Sequence, residues 1–113
     1  MATPQQTRLA RLLEEKYGIV GKVAGRYVTA GLHVTMMHPT RYGPVHFVAQ
    51  GNGLKLAVDV VAENDLLKAA ELLKKKAELL KAKPVLVLYG LASASVKKLA
   101  VAEMGVEVRK FKG

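Results

Sequence analysis

Residues 43–65 read GPVHFVAQGNGLKLAVDVVAEND, and the fold turns on how they are read. Two runs rich in β-branched residues, Val45–Gln50 and Leu54–Val61, flank Gly51-Asn52-Gly53. Those three residues tolerate positive φ, so a β-hairpin is expected. Alternation along the second run puts Leu54, Leu56, Val58 and Val60 on one face and Lys55, Ala57, Asp59 and Val61 on the other. His46 sits near the start of the first strand, and Asp59 is a lone carboxylate in the second.

Downstream, residues 65–83 (DLLKAAELLKKKAELLKAK) form an amphipathic helix pattern capped by Asn64 or Asp65. Leu66, Ala69, Ala70, Leu73, Ala77 and Leu80 make its inner stripe, and Lys68, Lys74, Lys75, Lys76, Lys81 and Lys83 fill the rest as a solvated face. Residues 84–90 (PVLVLYG) are almost continuously apolar, which suits a central strand buried on both faces. A second helix is expected over residues 93–105, from Ser93 or Ser95 to a stop at Gly105, and a last strand over residues 106–111. A βαβ ending of this kind implies a right-handed crossover and a parallel strand pair.

Upstream, Thr3 caps a helix with Pro4 at its first position, and Gly18 stops it. Leu9, Leu12, Leu13 and Tyr17 supply its apolar stripe, with Arg8, Arg11 and Lys16 facing outward. Residues 19–38 (IVGKVAGRYVTAGLHVTMMH) are rich in glycine and β-branched residues and read as one strand, or two short ones broken near Gly25 or Ala30-Gly31. Residues 38–44 (HPTRYGP) are a loop.

The 113 residues suit one α/β domain spanning residues 1–113. Eighteen Lys and Arg against nine Asp and Glu give a net charge of +9, which favours a polyanionic partner, DNA or RNA, over a surface charged for solubility alone. No apolar run reaches the ~18 residues of a membrane span. The N-terminal stretch has no signal-peptide core, so a cytoplasmic location is expected. The absence of cysteine excludes disulfides and thiolate metal sites. Abundant Lys and Glu with few Asn and Gln suit a thermophile. No GxGxxG, P-loop or Ser-His-Asp pattern is present, and six aromatic residues are too few for a base-stacking sheet.

An N-terminal helix, a β-meander and then helix-strand-helix-strand resembles the core of the PD-(D/E)XK nucleases, and in size and spacing it is similar to the archaeal Holliday junction resolvases. The resemblance implies a restriction-endonuclease-like core on a mixed central sheet. It also implies a divalent metal held by two acids, with a lysine assisting the attacking water. Pro44-Val45-His46 falls at the PD position, so His46 stands where a metal-binding aspartate would be. Asp59 stands at the acid of the second triplet, Val61 at its lysine, and Glu14 or Glu15 near a helix glutamate.

Histidine disfavours Mg²⁺ while admitting Mn²⁺ or Zn²⁺, and valine removes a cation that would stabilise developing phosphate charge. Lys68, on the next helix, is one place from which a lysine could reach back. Asp59 read without the resemblance is a carboxylate that is solvent-facing or paired with a nearby lysine.

The resulting expectation is an inactive nuclease-like scaffold that needs no cofactor and contacts phosphates through Arg8, Arg11, Arg26, Arg41 and Lys55, with Tyr42 stacking. The alternatives are a Mg²⁺- or Mn²⁺-dependent endonuclease using Asp59, His46 and Glu14, an RNA-binding component of a ribonucleoprotein such as the ribosome, or a structural subunit of an active nuclease. Archaeal tRNA-splicing endonuclease domains share the general fold without metal, which keeps RNA in view. Resolvases pair, so a homodimer or larger nucleoprotein complex is expected by the same resemblance.

Overall fold

The computed structural model describes residues 2–62, 66–89, 101 and 103–111. Helix α1 (Pro4–Tyr17) starts with a reciprocal cap. The Thr3 hydroxyl accepts the Gln6 N–H at 3.1 Å, and the Gln6 side chain accepts the Thr3 N–H at 2.8 Å. Gly18, at φ 64°, is the single residue between α1 and helix α2 (Ile19–Thr29), and a left-handed φ there costs glycine little.

Helix α2 is where the sequence misleads. Residues 19–38 were expected to be strand, yet only strand β1 (His33–His38) is extended. The glycines are packing residues, not strand breakers. A Cβ on Gly21 would lie 1.8 Å from the Leu13 carbonyl oxygen, and one on Gly25 would lie 2.9 Å from the Ala10 Cβ. The helices touch backbone to backbone at this Gly-x-x-x-Gly edge. Val23 and Ala24 are buried in the core against the sheet, and Val28 is buried as well. That contact outweighs the weak β preference of the sequence. The stripe expected on α1 is also corrected. No residue of α1 is fully buried, and Leu9 and Leu12 are exposed, while Leu13 packs toward the core.

Strands β2 (Val45–Gly51) and β3 (Leu54–Ala62) form the expected hairpin. Asn52 (φ 51°) and Gly53 (φ 78°) make a two-residue turn with both φ values positive, the type I′ pattern. Helix α3 (Leu66–Leu80) crosses over to strand β4 (Lys83–Tyr89), which runs parallel to β3 and to the edge strand β5 (Glu107–Lys110). The sheet order is β1-β2-β3-β4-β5, antiparallel through the meander and parallel thereafter. The single N-terminal helix expected is thus replaced by two, while the meander and mixed sheet stand. Of the helix expected over 93–105, residues 93–100 and 102 and the Ser93 or Ser95 cap lie outside the described residues, as do Asn64 and Asp65; Val101 and Glu103 are helical, and Gly105 (φ 85°) stands at the expected stop.

Two cores flank the sheet. Val48, Ala57, Leu86 and Leu88 pack against Ala70, Leu73 and Ala77 of α3. Phe47, Leu56, Val58 and Val85 pack against Val23 and Ala24 of α2. Residues 85–88 are all buried, as a central strand requires. Among the described residues no helix is long and apolar enough to cross a membrane.

Gly21→Ala should destabilise the fold by about 3 kcal/mol, the upper end of overpacking costs, because its clash is with backbone. Gly31→Ala meets open space and bears only its positive φ of 96°, so it should cost about 1–2 kcal/mol. Urea unfolding of both variants checks this, and equal losses would contradict the helix contact.

Candidate functional site

The regular β2–β3 ladder runs from Gly51–Leu54 to Phe47–Val58 and then changes character. The His46 N–H donates to Asp59 Oδ1 at 2.8 Å, and the Val60 N–H donates to His46 Nδ1 at 2.8 Å. Two side chains thus receive N–H bonds from the facing strand. In the adjoining strand, Met37 has φ 50° and lies between the Met36–Phe47 and His38–Val45 pairs. A non-glycine residue there costs about 1–3 kcal/mol. Val45 packs toward α3 and Phe47 toward α2, although two residues apart on a regular strand share a face.

Asp59 shares its strand face with Ala57 and Val61, as alternation predicted; that face is the α3 side, and Asp59 is only 7% exposed. Its second oxygen faces Lys76 of α3, with Nζ 3.8 Å from Oδ2. The same ammonium donates to the Pro44 carbonyl at 3.0 Å. Lys76 is 6% exposed, so its assignment to a solvated face is corrected. Lys68 is exposed. A signal for Lys76 was available: Ala69, Leu73, Lys76 and Leu80 follow a four-three-four spacing, so Lys76 occupies the inner stripe itself.

His46 Nδ1 lies 3.9 Å from Asp59 Oδ1, but this is no ion pair. Nδ1 accepts the Val60 N–H and carries no proton, which puts the ring proton on Nε2. No buried side-chain N or O among the described residues lacks a partner.

This donor set does not fit a divalent metal. The Asp59 oxygens face a backbone N–H and an ammonium, and His46 Nδ1 faces a backbone N–H. Glu14 cannot join them. It lines a groove between α1 and α2, on the other side of the sheet. Among the described residues, no three His, Asp or Glu side chains converge. Val61, at the place of the catalytic lysine, packs against the α3-side core.

The nucleic-acid candidates divide. Arg41 and Tyr42 are exposed in the β1–β2 loop, where Lys75 lies 5.9 Å from the Tyr42 ring centroid and competes for stacking there. Lys55 pairs with Gln50 near the hairpin turn, four residues along β3 from Asp59. The helical cations do come together. Arg8 and Arg11 line one depression with Ala2, Pro4 and Thr7. Thr7 and Arg11 also line the α1–α2 groove, with Glu14, Lys22 and Arg26. Arg26 in turn lines a cavity with Tyr27, Arg109, Lys110 and Phe111. Three adjoining depressions therefore share residues and form one track, with six cations and, among the described lining residues, the one carboxylate of Glu14. Sequence reading missed Arg109 and Lys110, because only the sheet order brings β5 beside α2.

At the end of the track, Glu107 forms ion pairs with Arg109 and, at 3.3 Å, with Lys83. Burial pushes the Glu107 carboxyl up, but hydrogen bonds and charge from Arg109 and Lys83 outweigh it and hold the group below its ordinary range. Burial pushes the Tyr27 hydroxyl up against the pull of Arg109, so it stays protonated.

No family model and no curated protein matches the chain. Among solved structures, the chain is similar to a crystal structure described as a protein of unknown function, AF1548, an archaeal protein. The TM-score is 0.56 at 19% identity, over 94% of this chain and 56% of that one. The likeness is one of fold, and this chain spans just over half the length of that protein.

Two measurements test the site. Asp59→Leu should destabilise by about 3–5 kcal/mol, because it strands the buried Lys76 charge, and adding Lys76→Met should recover most of the loss. Additive losses in denaturant unfolding would contradict the pairing. For Glu107, the folded group holds its proton less tightly than the unfolded one. Its contribution is therefore complete above the unfolded value and declines as pH falls toward the folded one. The group is a third exposed, so the loss should stay under about 1 kcal/mol and vanish in Glu107→Gln.

Proposed function

We propose that this protein binds nucleic acid through the phosphate backbone, along the track from Arg8 to Lys110, on a nuclease-like scaffold that does not cut. The observation that carries the reading is the shared lining of the three depressions, which lays Arg8, Arg11, Lys22, Arg26, Arg109 and Lys110 along one surface. Such contacts position a polyanion without reading its bases. The order of elements and the location of Asp59 beyond the end of the β2–β3 ladder support the PD-(D/E)XK resemblance. The engagement of Asp59 by Lys76 and of His46 by Val60 supports an inactive centre. Arg41, Tyr42 and Lys55 line none of the three depressions, so they should matter less.

The test is a salt-titrated panel of duplex, single-stranded and branched DNA and structured RNA, with and without Mn²⁺. Affinity should fall steeply with salt, and Arg8→Gln and Arg11→Gln should each flatten the log–log slope by about one. Absence of a salt slope would overturn binding. Mn²⁺-dependent products lost in Asp59→Ala would overturn the inactive centre.

A further inference from the structure

The cavity at the end of the track differs from the rest of it. It holds about 260 Å³, between α2 and the ends of β4 and β5. That is just under the ~300 Å³ at which small-molecule clefts begin, room for one ring system rather than an extended ligand. Val23, Val87 and Phe111 give it an apolar wall, while Arg26, Arg109 and Lys110 rim it, and among the described residues no acidic one lines it.

Both arginines are held against aromatic side chains. The Arg26 guanidinium lies over the Phe111 ring at 4.5 Å. Arg109 lies over Tyr27 at 5.9 Å and donates to its hydroxyl at 3.1 Å, while Glu107 holds its Nε. Tyr27 itself is braced by Phe47, with ring centroids 5.5 Å apart. Guanidinium planes backed by aromatic rings stack on nucleobases, and their N–H edges bond phosphate.

We infer that this cavity holds one unstacked nucleotide, its base against the Arg26 and Arg109 planes and its phosphate at Arg109 and Lys110. This deepens the nucleic-acid reading and rests on it. A duplex keeps its bases stacked and can use only the phosphate track, whereas a single strand or a strand end can fill the cavity as well. The shared chemistry is a nucleobase joined to a phosphate. A free nucleotide presents it too.

The experiment uses the full chain, with AMP, adenosine, inorganic phosphate, a ten-nucleotide oligothymidylate and a 20-base-pair duplex as probes. Amide and arginine side-chain NMR shifts and anisotropy competition are the readouts. AMP should shift the Tyr27 and Arg109 signals, bind at least tenfold tighter than adenosine or phosphate alone, and displace the oligothymidylate but not the duplex. Ala30 is exposed at the cavity wall. Ala30→Phe should fill the cavity and weaken AMP and oligothymidylate about tenfold, with duplex affinity unchanged. Arg109→Gln, checked for unchanged thermal unfolding, should abolish the AMP shifts.

If AMP causes no shifts while the duplex still binds, the cavity proposal falls and the phosphate track stands. If inorganic phosphate competes as well as AMP, or Ala30→Phe changes nothing, the proposal falls as well. If AMP binds and no nucleic acid does, the cavity is a free-nucleotide site and the backbone-binding reading fails instead.

Discussion

The buried contact of Lys76 with Asp59 is the joint on which the α3 side of the molecule depends. One ammonium reaches from the helix to a strand carboxylate and to the Pro44 carbonyl at the start of β2. It therefore ties α3, β3 and the end of the β1–β2 loop together. Desolvating two charges is costly, and Coulomb attraction repays that only when the remaining polar groups are also satisfied. Here the His46 N–H and the Pro44 carbonyl supply those partners. The same arrangement determines chemistry. A carboxylate already engaged by an ammonium and an amide is a structural anion, and recruiting it to a cation would leave Lys76 buried beside a second positive charge.

The opposite side of the sheet is organised by steric closeness rather than charge. Gly21 and Gly25 let α2 approach the backbone of α1, which places Arg11 of one helix and Lys22 and Arg26 of the other along a common groove. Arg26 then meets β5, because α2 packs across the sheet face toward Val87 and Phe111. The basic track is thus a consequence of small residues on a helix edge. The glycines have no part in binding, yet they determine which cations are neighbours.

The two sides of the sheet therefore differ in how their charges are engaged. On the Asp59 side the carboxylate is closed off by internal partners, the His46 N–H and the Lys76 ammonium. On the α1–α2 side six cations line connected depressions. Like charges gathered along a groove repel one another, and surface screening keeps that cost small while leaving a field that attracts a polyanion.

Much of the framework was legible in the residues alone. The Asn52-Gly53 turn, the alternation of β3, the buried run of β4 and the stripe of α3 are local patterns, each set by φ preference or by burial on one face. Those determine element type and strand face, and with them that Asp59 shares a face with Ala57 and Val61; that α3 covers this face was decided by packing. Residues 19–29 were misread because glycine and valine are poor helix formers in isolation, and only a neighbouring helix makes glycine the residue that fits. Lys76 was misplaced because charge was weighed over periodicity, and its partner lies in a distant strand. Which cations share a surface is likewise a question of sheet order and helix docking. Local sequence determines what each element is; contacts between residues far apart in the chain decide which side chains meet, and here they decided both the closed acid and the open basic track.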